Sequence, residues 1–358
     1  LVHLDGKPAV HVIEADDPYA KELQKMTRAF PDAYAFPTSF TRDGSKAIYL
    51  VSSDVNSGEF YLVDHARGKA DYLAERQKLM LPPLMSAMQP FRFKSRDGVE
   101  IEGFLTLPSS RPKGQPVPLV VMPHGGPKGP YDSWGFDAEI QLLASRGYGV
   151  LQVNFRGSGN YGRDFLESGN RQWGSGMIDD ILDATRWAVA QGHATAGRIC
   201  MYGASYGAYA SLVAVAREPE MYACAIGNVG VYDMRRLVAE GSFGQSKRVF
   251  NDFFGARADL DSISPTRFAD KIRVPVLLGA GEKDRIAPPE HTDQMLRQLQ
   301  KAGADVQHVE YAGEAHGNYL VKNRADWARR VLALLDRSLG AAAPAAPLPD
   351  CRVGSSEK

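Results

Sequence analysis

A serine set between glycines, Gly203-Ala204-Ser205-Tyr206-Gly207, separates an apolar strand-like run, Arg198-Ile199-Cys200-Met201-Tyr202, from a helix-like run, Ala208 to Arg217. A strand that turns at once into a helix leaves no room for side chains flanking the turn, and glycine is the residue that fits there. The same turn lifts the intervening hydroxyl off the end of the sheet. A chain with this junction is constrained to a layered arrangement in which helices pack on a sheet. Taken alone, the G-x-S-x-G spacing also occurs in ordinary Gly-rich turns. The surrounding elements decide its meaning.

Those elements alternate. Residues 91–94 and 99–107 flank the hairpin signal Arg96-Asp97-Gly98. Strands are then expected over 119–122, 149–154, 199–202, 223–227, 274–280 and 306–311. Helices are expected over 138–145, 177–190, 205–217, 290–302 and 324–339. Near-continuous apolar strands interleaved with helices predict a doubly wound, mostly parallel sheet covered on both faces. Residues 1–90 differ in kind. They offer a helical piece near 18–29 and two β-rich runs, 47–53 and 59–64, joined by Asp54-Val55-Asn56-Ser57-Gly58. Two or three short strands bury no core alone, so this segment reads as part of a repeat whose neighbours are missing. Residues 341–358, rich in Ala and Pro and then polar, read as a disordered tail.

Composition narrows the partners. Lys plus Arg equals Asp plus Glu at 42 each, which argues against nucleic acid or an anionic membrane surface. No apolar run approaches the ~20 residues that span a bilayer, and no signal-peptide pattern opens the chain. The chain starts at Leu1 rather than Met, as if in mid-domain, which leaves room for an upstream signal. A soluble protein of the cytoplasm or periplasm is expected. The three cysteines make no disulfide framework, and Cys200 and Cys224, in apolar core strands, are expected as buried free thiols. No metal or cofactor is expected.

In doubly wound sheets reacting groups gather at the carboxyl ends of strands. Ser205 follows one such end. Asp284, in Gly281-Glu282-Lys283-Asp284, follows the strand over 274–280, and His316, in Gly313-Glu314-Ala315-His316-Gly317, follows the strand over 306–311. The order Ser, Asp, His is that of α/β-hydrolases. A serine hydroxyl is a weak nucleophile until a base takes its proton; His316 suits that role, with Asp284 holding its tautomer. His308, within a strand, and His291, on a helix, suit it less. Two glycines after the strand over 119–122, in His124-Gly125-Gly126-Pro127, can turn backbone N–H groups toward a developing oxyanion, together with the N–H of Tyr206.

These stretches, with Asn154-Phe155-Arg156-Gly157-Ser158-Gly159-Asn160-Tyr161-Gly162, Gln172-Trp173-Gly174 and Met177-Ile178-Asp179-Asp180, resemble the catalytic domain of the prolyl oligopeptidase family of serine peptidases. The likeness is strongest to its acylaminoacyl-peptidase and dipeptidyl-peptidase branches and covers about residues 91–340. It implies an α/β-hydrolase fold over 91–340, with residues 1–90 as a β-propeller remnant. Carried over residue by residue, it makes Ser205 the nucleophile, Asp284 the orienter and His316 the base. Gly126, rather than Gly125, pairs with Tyr206 in the oxyanion hole, and Tyr206, Val229 and Tyr232 line an apolar substrate pocket. Arg156 reads as structural, paired with Asp179 or Asp180.

Ala204 and Ala208 stand where the family has glycine, and Ala287 where it tends to have Val. The larger departure is the propeller, which ninety residues cannot close. The chain is therefore expected to be either a fragment or an open hydrolase, acting on short peptides or, as the alternative, on small esters. Residues 1–90 are a candidate surface for homo-oligomer formation.

Overall fold

A computed structural model of the chain describes residues 2–4, 6–112, 114–240, 247–255 and 259–340. The tail expected over 341–358 lies outside them. Strands β1 (Val2–Leu4) and β2 (Lys7–Ala9) make a small antiparallel pair. Helix α1 (Pro18–Ala29) starts where proline pre-sets the first turn and the Asp17 side chain accepts the N–H of Ala20. Strands β3 (Tyr34–Phe40), β4 (Lys46–Ser52), β5 (Glu59–Asp64) and β6 (Lys69–Glu75) then form a four-stranded antiparallel sheet in chain order. Met26 of α1 packs with Ala35, Ala47, Tyr49, Val51 and Val63, so this unit does bury a small core of its own. The sequence showed β4 and β5 because their apolar residues are continuous. It hid β6, whose residues are mostly exposed, and β3, which carries Pro37.

The remaining elements are β7 (Met88–Lys94), β8 (Glu100–Thr106), β9 (Leu119–Pro123), α2 (Ala138–Ser145), β10 (Gly149–Asn154), α3 (Arg163–Ser168) and α4 (Gly176–Ala190). After them come β11 (Ile199–Ala204), α5 (Tyr206–Arg217), β12 (Cys224–Asn228), α6 (Met234–Ala239) and α7 (Lys247–Phe253). The series closes with β13 (Val276–Gly281), α8 (Pro289–Lys301), β14 (Val306–Tyr311) and α9 (Val321–Leu339). An eight-stranded sheet runs β14-β13-β12-β11-β9-β10-β8-β7. Its first six strands are parallel; β8 and β7 join antiparallel at one edge. The large sheet thus begins at Met88, ahead of the expected boundary at 91. This is the α/β-hydrolase arrangement, with a β-rich unit at the N-terminal side.

Alternation along each strand splits the core between the two faces. Leu119 and Val121 of β9 point to the layer of α4, α5 and α8, whereas Val120 points to that of α2 and α9. The same rule corrects the reading of the cysteines. Cys200 and Cys224 are direct neighbours in the β11–β12 register, both on the α2/α9 face, with Cα atoms 4.7 Å apart, and they form a disulfide. That separation lies within disulfide reach. Buried Gln141 of α2 ties the small unit to the large one: its amide donates to the carbonyls of Asp54 and Ser86 and accepts the N–H of Ser86.

Arg156 is structural, as expected. Its guanidinium is forked onto fully buried Asp180 and also onto Asp97 in the β7–β8 turn, so the loop after β10, helix α4 and the edge hairpin share one charged knot. The hydrogen bonds that Arg156 donates to Asp180 and Asp97 hold the guanidinium pKa above its ordinary value, and they hold Asp97 well below the usual carboxylate range.

Candidate active site

The turn between β11 and α5 is as tight as its glycines suggest. A side chain on Gly203 would overlap the backbone of Gly207, and one on Gly207 would overlap the carbonyl oxygen of Pro123 at the end of β9. Ser205 sits between them with φ +57° and ψ −121°, a conformation rare for a residue with a side chain. Its N–H donates to the carbonyl of Asn228 at the end of β12. Ala204 and Ser205 reach solvent, whereas the strand before them and the helix after them are buried.

Asp284 and His316 stand three and five residues past the ends of β13 and β14, at the same carboxyl edge. The structure joins them. His316 Nδ1 lies 2.8 Å from Asp284 Oδ2, and because an ionised carboxylate only accepts, Nδ1 carries the proton and Nε2 is left as a base. The other oxygen, Asp284 Oδ1, accepts the N–H groups of Ile286 and Ala287, so both oxygens of this buried acid are engaged. No hydrogen bond joins Ser205 Oγ to His316 here; such contacts in ligand-free sites often close only with substrate.

Further groups, which sequence reasoning left without a role, hold the two loops together. Buried Glu314 accepts the N–H groups of Tyr319 and Leu320 and the amide of Asn323, fixing the segment that runs from His316 into α9. Burial acts to raise its pKa, and those donors outweigh it and hold the carboxyl below its ordinary value. The Glu314 carbonyl accepts the N–H of Lys283, and Glu282 Oε2 accepts the N–H of Gly313. The signal was present in Gly313-Glu314-Ala315-His316 just ahead of a helix start, but nothing in the sequence says which N–H groups the carboxylate meets.

Gly125 lies against Ser205: a side chain there would come 3.5 Å from Ser205 Cβ and 3.4 Å from the Ala204 carbonyl oxygen. Gly126, next along, has φ +126°, open to glycine and strained for other residues. The structure places the three residues expected along a substrate pocket as follows. Tyr206 is fully buried, edge-on to Trp173 and donating its hydroxyl to the Trp173 carbonyl. Tyr232 is fully buried over Gly227 and Gly230, and Val229 is buried with its N–H on the Gly279 carbonyl. All three side chains are buried, Tyr206 at the start of α5 and Val229 and Tyr232 in the segment after β12. His291 is also buried, its Nδ1 accepting the N–H of Tyr232. Among the described residues there is no cluster of His, Cys, Asp and Glu able to hold a metal, and no helix is long and apolar enough to cross a membrane.

Residues 134–342 match the prolyl oligopeptidase family. The chain is 34% identical over 314 residues to dipeptidyl aminopeptidase BIII of Pseudoxanthomonas mexicana, which covers 83% of this chain and 45% of that protein. Among solved structures, a puromycin hydrolase superposes with a TM-score of 0.75 at 26% identity, covering 85% of this chain and 47% of the other. An acylaminoacyl peptidase of Pyrococcus horikoshii gives 0.72 at 26% identity, with 86% and 50% covered. The chain thus spans about half the length of the proteins it resembles.

Proposed function

The chain belongs to the prolyl oligopeptidase family of serine peptidases, and from that premise we propose that it hydrolyses peptide or aminoacyl bonds of short peptides through an acyl-enzyme on Ser205. The observation that carries this reading is the 2.8 Å bond between His316 and Asp284, at the same sheet edge as a serine held at φ +57°. Likeness to an aminopeptidase and an acylaminoacyl peptidase supports peptides as the substrate class.

The steps follow from the atoms present. Ser205 Oγ attacks the scissile carbonyl carbon as His316 Nε2 takes its proton. The oxyanion that forms is met by the backbone N–H groups of Gly126 and Tyr206. Asp284, fixed by Ile286 and Ala287, keeps Nδ1 protonated and steadies the imidazolium. Collapse expels the amine, which leaves with the proton from Nε2. Water then attacks the acyl carbon as the same nitrogen takes its proton, and Ser205 Oγ leaves with that proton, freeing the acid and restoring the serine.

The test compares an aminoacyl p-nitroanilide, its N-acyl form and a p-nitrophenyl ester, with the Ser205→Ala variant as control. Hydrolysis of the anilides by the parent chain, and no turnover or fluorophosphonate labelling in Ser205→Ala, is the expected result. Activity on the ester alone would replace peptidase by esterase. Labelling of Ser205→Ala at the parent rate would remove Ser205 from the mechanism.

A further inference from the structure

A cavity of about 170 Å³ lies beside the edge strands β7 and β8, and none of its lining residues belongs to the triad or to the glycine loop after β9. Phe104 and Tyr131 line it together with the polar side chains of Arg92, Glu102, Asp132 and Tyr161. Fully buried Asn154, the last residue of β10, builds the polar end. Its Oδ1 accepts the N–H of Asp132, and its Nδ2 donates to the Asp132 carbonyl and to the Tyr161 hydroxyl. One side chain thus fixes both residues.

What this end lacks is a donor. Among the described residues, Asp132 Oδ2 is shut off from solvent without a partner, and so is Oε1 of neighbouring Gln152 on β10. The Tyr161 oxygen accepts one bond and has a second lone pair to offer. Buried acceptors without donors are uncommon in folded proteins. Below neutrality the carboxyl's own proton fills the gap, since burial pushes the Asp132 pKa up to about 7, opposed by the Gln152 amide and helped by Asp137. Above neutrality the gap suits a cation that carries N–H groups.

The other charged groups nearby are already matched. Arg92 of β7 is paired with Glu100 and Glu102 of β8. Asp137 caps α2 by accepting the N–H groups of Glu139 and Ile140. Lys7 of β2 is held over the Trp134 ring, 5.6 Å from its centroid. Tyr161, pushed up to about 12 by burial, stays neutral. Asp132 has no cation among them. A primary ammonium is compact and presents three donors, as many as the orphaned oxygens of Asp132 and Gln152 and the open lone pair of Tyr161 together accept. A guanidinium would bring five N–H groups and leave some of them unpaired.

We propose that this cavity binds the primary ammonium group of a small amine, with Asp132 as its counter-ion and Tyr161 as a second acceptor, and with Phe104 and Tyr131 as an apolar wall for a short carbon stem. A free amino acid, a peptide N-terminus and a plain alkylamine share that group. The inference goes beyond the hydrolase reading and does not depend on it.

Isothermal titration calorimetry in amine-free buffer tests it, with ethylammonium, L-alanine and alanylalanine amide as primary amines and tetramethylammonium as a cation without N–H groups. At pH 8 the primary amines are expected to bind and tetramethylammonium is not. Tighter binding of L-alanine than of the other two would assign free amino acids as the source, and tighter binding of the amide would assign peptide N-termini. Asp132→Asn keeps the shape and removes the charge, and is expected to weaken binding at least about tenfold. In the parent chain the ligand must displace one proton from the carboxyl, so affinity should fall about tenfold for each pH unit below 7 and be level above it. No binding by any primary amine, equal binding of tetramethylammonium, affinity independent of pH, or affinity unchanged in Asp132→Asn would each overturn the proposal. Should Asp132→Asn fail to fold, the pH slope and the comparison of the two ammonium ions decide alone.

Discussion

Gly281 and Ala315 meet without space for a methyl group: a side chain at Gly281, the last residue of β13, would overlap the Ala315 carbonyl oxygen and crowd that of Glu314. The loop bearing Asp284 and the loop bearing His316 are registered by this contact. Gly281→Ala is expected to displace the His316 segment, cutting kcat at least about tenfold, while overpacking costs about 1–3 kcal/mol of stability. Kinetics and urea unfolding on the one variant check both. Unchanged kcat would show that the contact does not govern the triad.

Asp284→Asn tests the orienting role. An amide at this site can present its NH2 to Nδ1 and trap the imidazole in the wrong tautomer, an effect on the order of 10⁴ in a comparable triad. Circular dichroism should be unaltered while turnover falls by several orders of magnitude. A loss of only a few-fold would assign the role to another acid.

Arg156→Met leaves Asp180 buried and uncompensated, apart from the backbone N–H that still donates to it. Breaking a buried pair from one side costs about 3–5 kcal/mol, and replacing both partners by apolar residues is often neutral. Urea unfolding should therefore show a large loss for Arg156→Met and recovery for the double variant Arg156→Met/Asp180→Leu. Equal losses would mean that the knot matters through Asp97 instead.

Asp132 supplies a pH signature. Burial raises its pKa to about 7, and its Oδ2 and the nearby Gln152 Oε1 are both buried without a partner. The folded state keeps a proton that the unfolded chain releases near the ordinary value of about 3.9, so stability from this group declines as pH rises between those values and is level above them. Asp132→Asn abolishes that decline. The melting-temperature difference, variant minus parent, should grow from pH 4 to pH 7 and then stay constant. A difference independent of pH would refute the assignment.

The pairing of His316 with Asp284 could be read from the sequence because both residues follow apolar strands whose ends the alternation of elements marks. The elbow could be read because its glycines stand where a Cβ has no room. What stayed hidden depended on register or on side-chain direction. Cys200 and Cys224 are 24 residues apart in the chain, and only the β11–β12 pairing makes them neighbours. Whether the rings of Tyr206 and Tyr232 face substrate or core is a torsional choice that the letters do not contain. Glu314 carried no legible role because its partners, Tyr319, Leu320 and Asn323, come together only once α9 has started. Short helices α3 and α6, of six residues each, carry too few turns for a periodicity to show.

The backbone at Ser205 is kept in its unusual shape by contacts from three different strands. Its N–H is taken by Asn228 of β12, Gly203 of β11 is pressed on Gly207, and Gly207 is pressed on Pro123 of β9. Such a conformation costs about 1–3 kcal/mol and persists only while its surroundings impose it. A nascent or damaged copy lacking any one of those strands would relax the turn and withdraw the hydroxyl. Under the proposed peptidase reading this is a form of quarantine: the hydroxyl is presented only in molecules whose central sheet is complete.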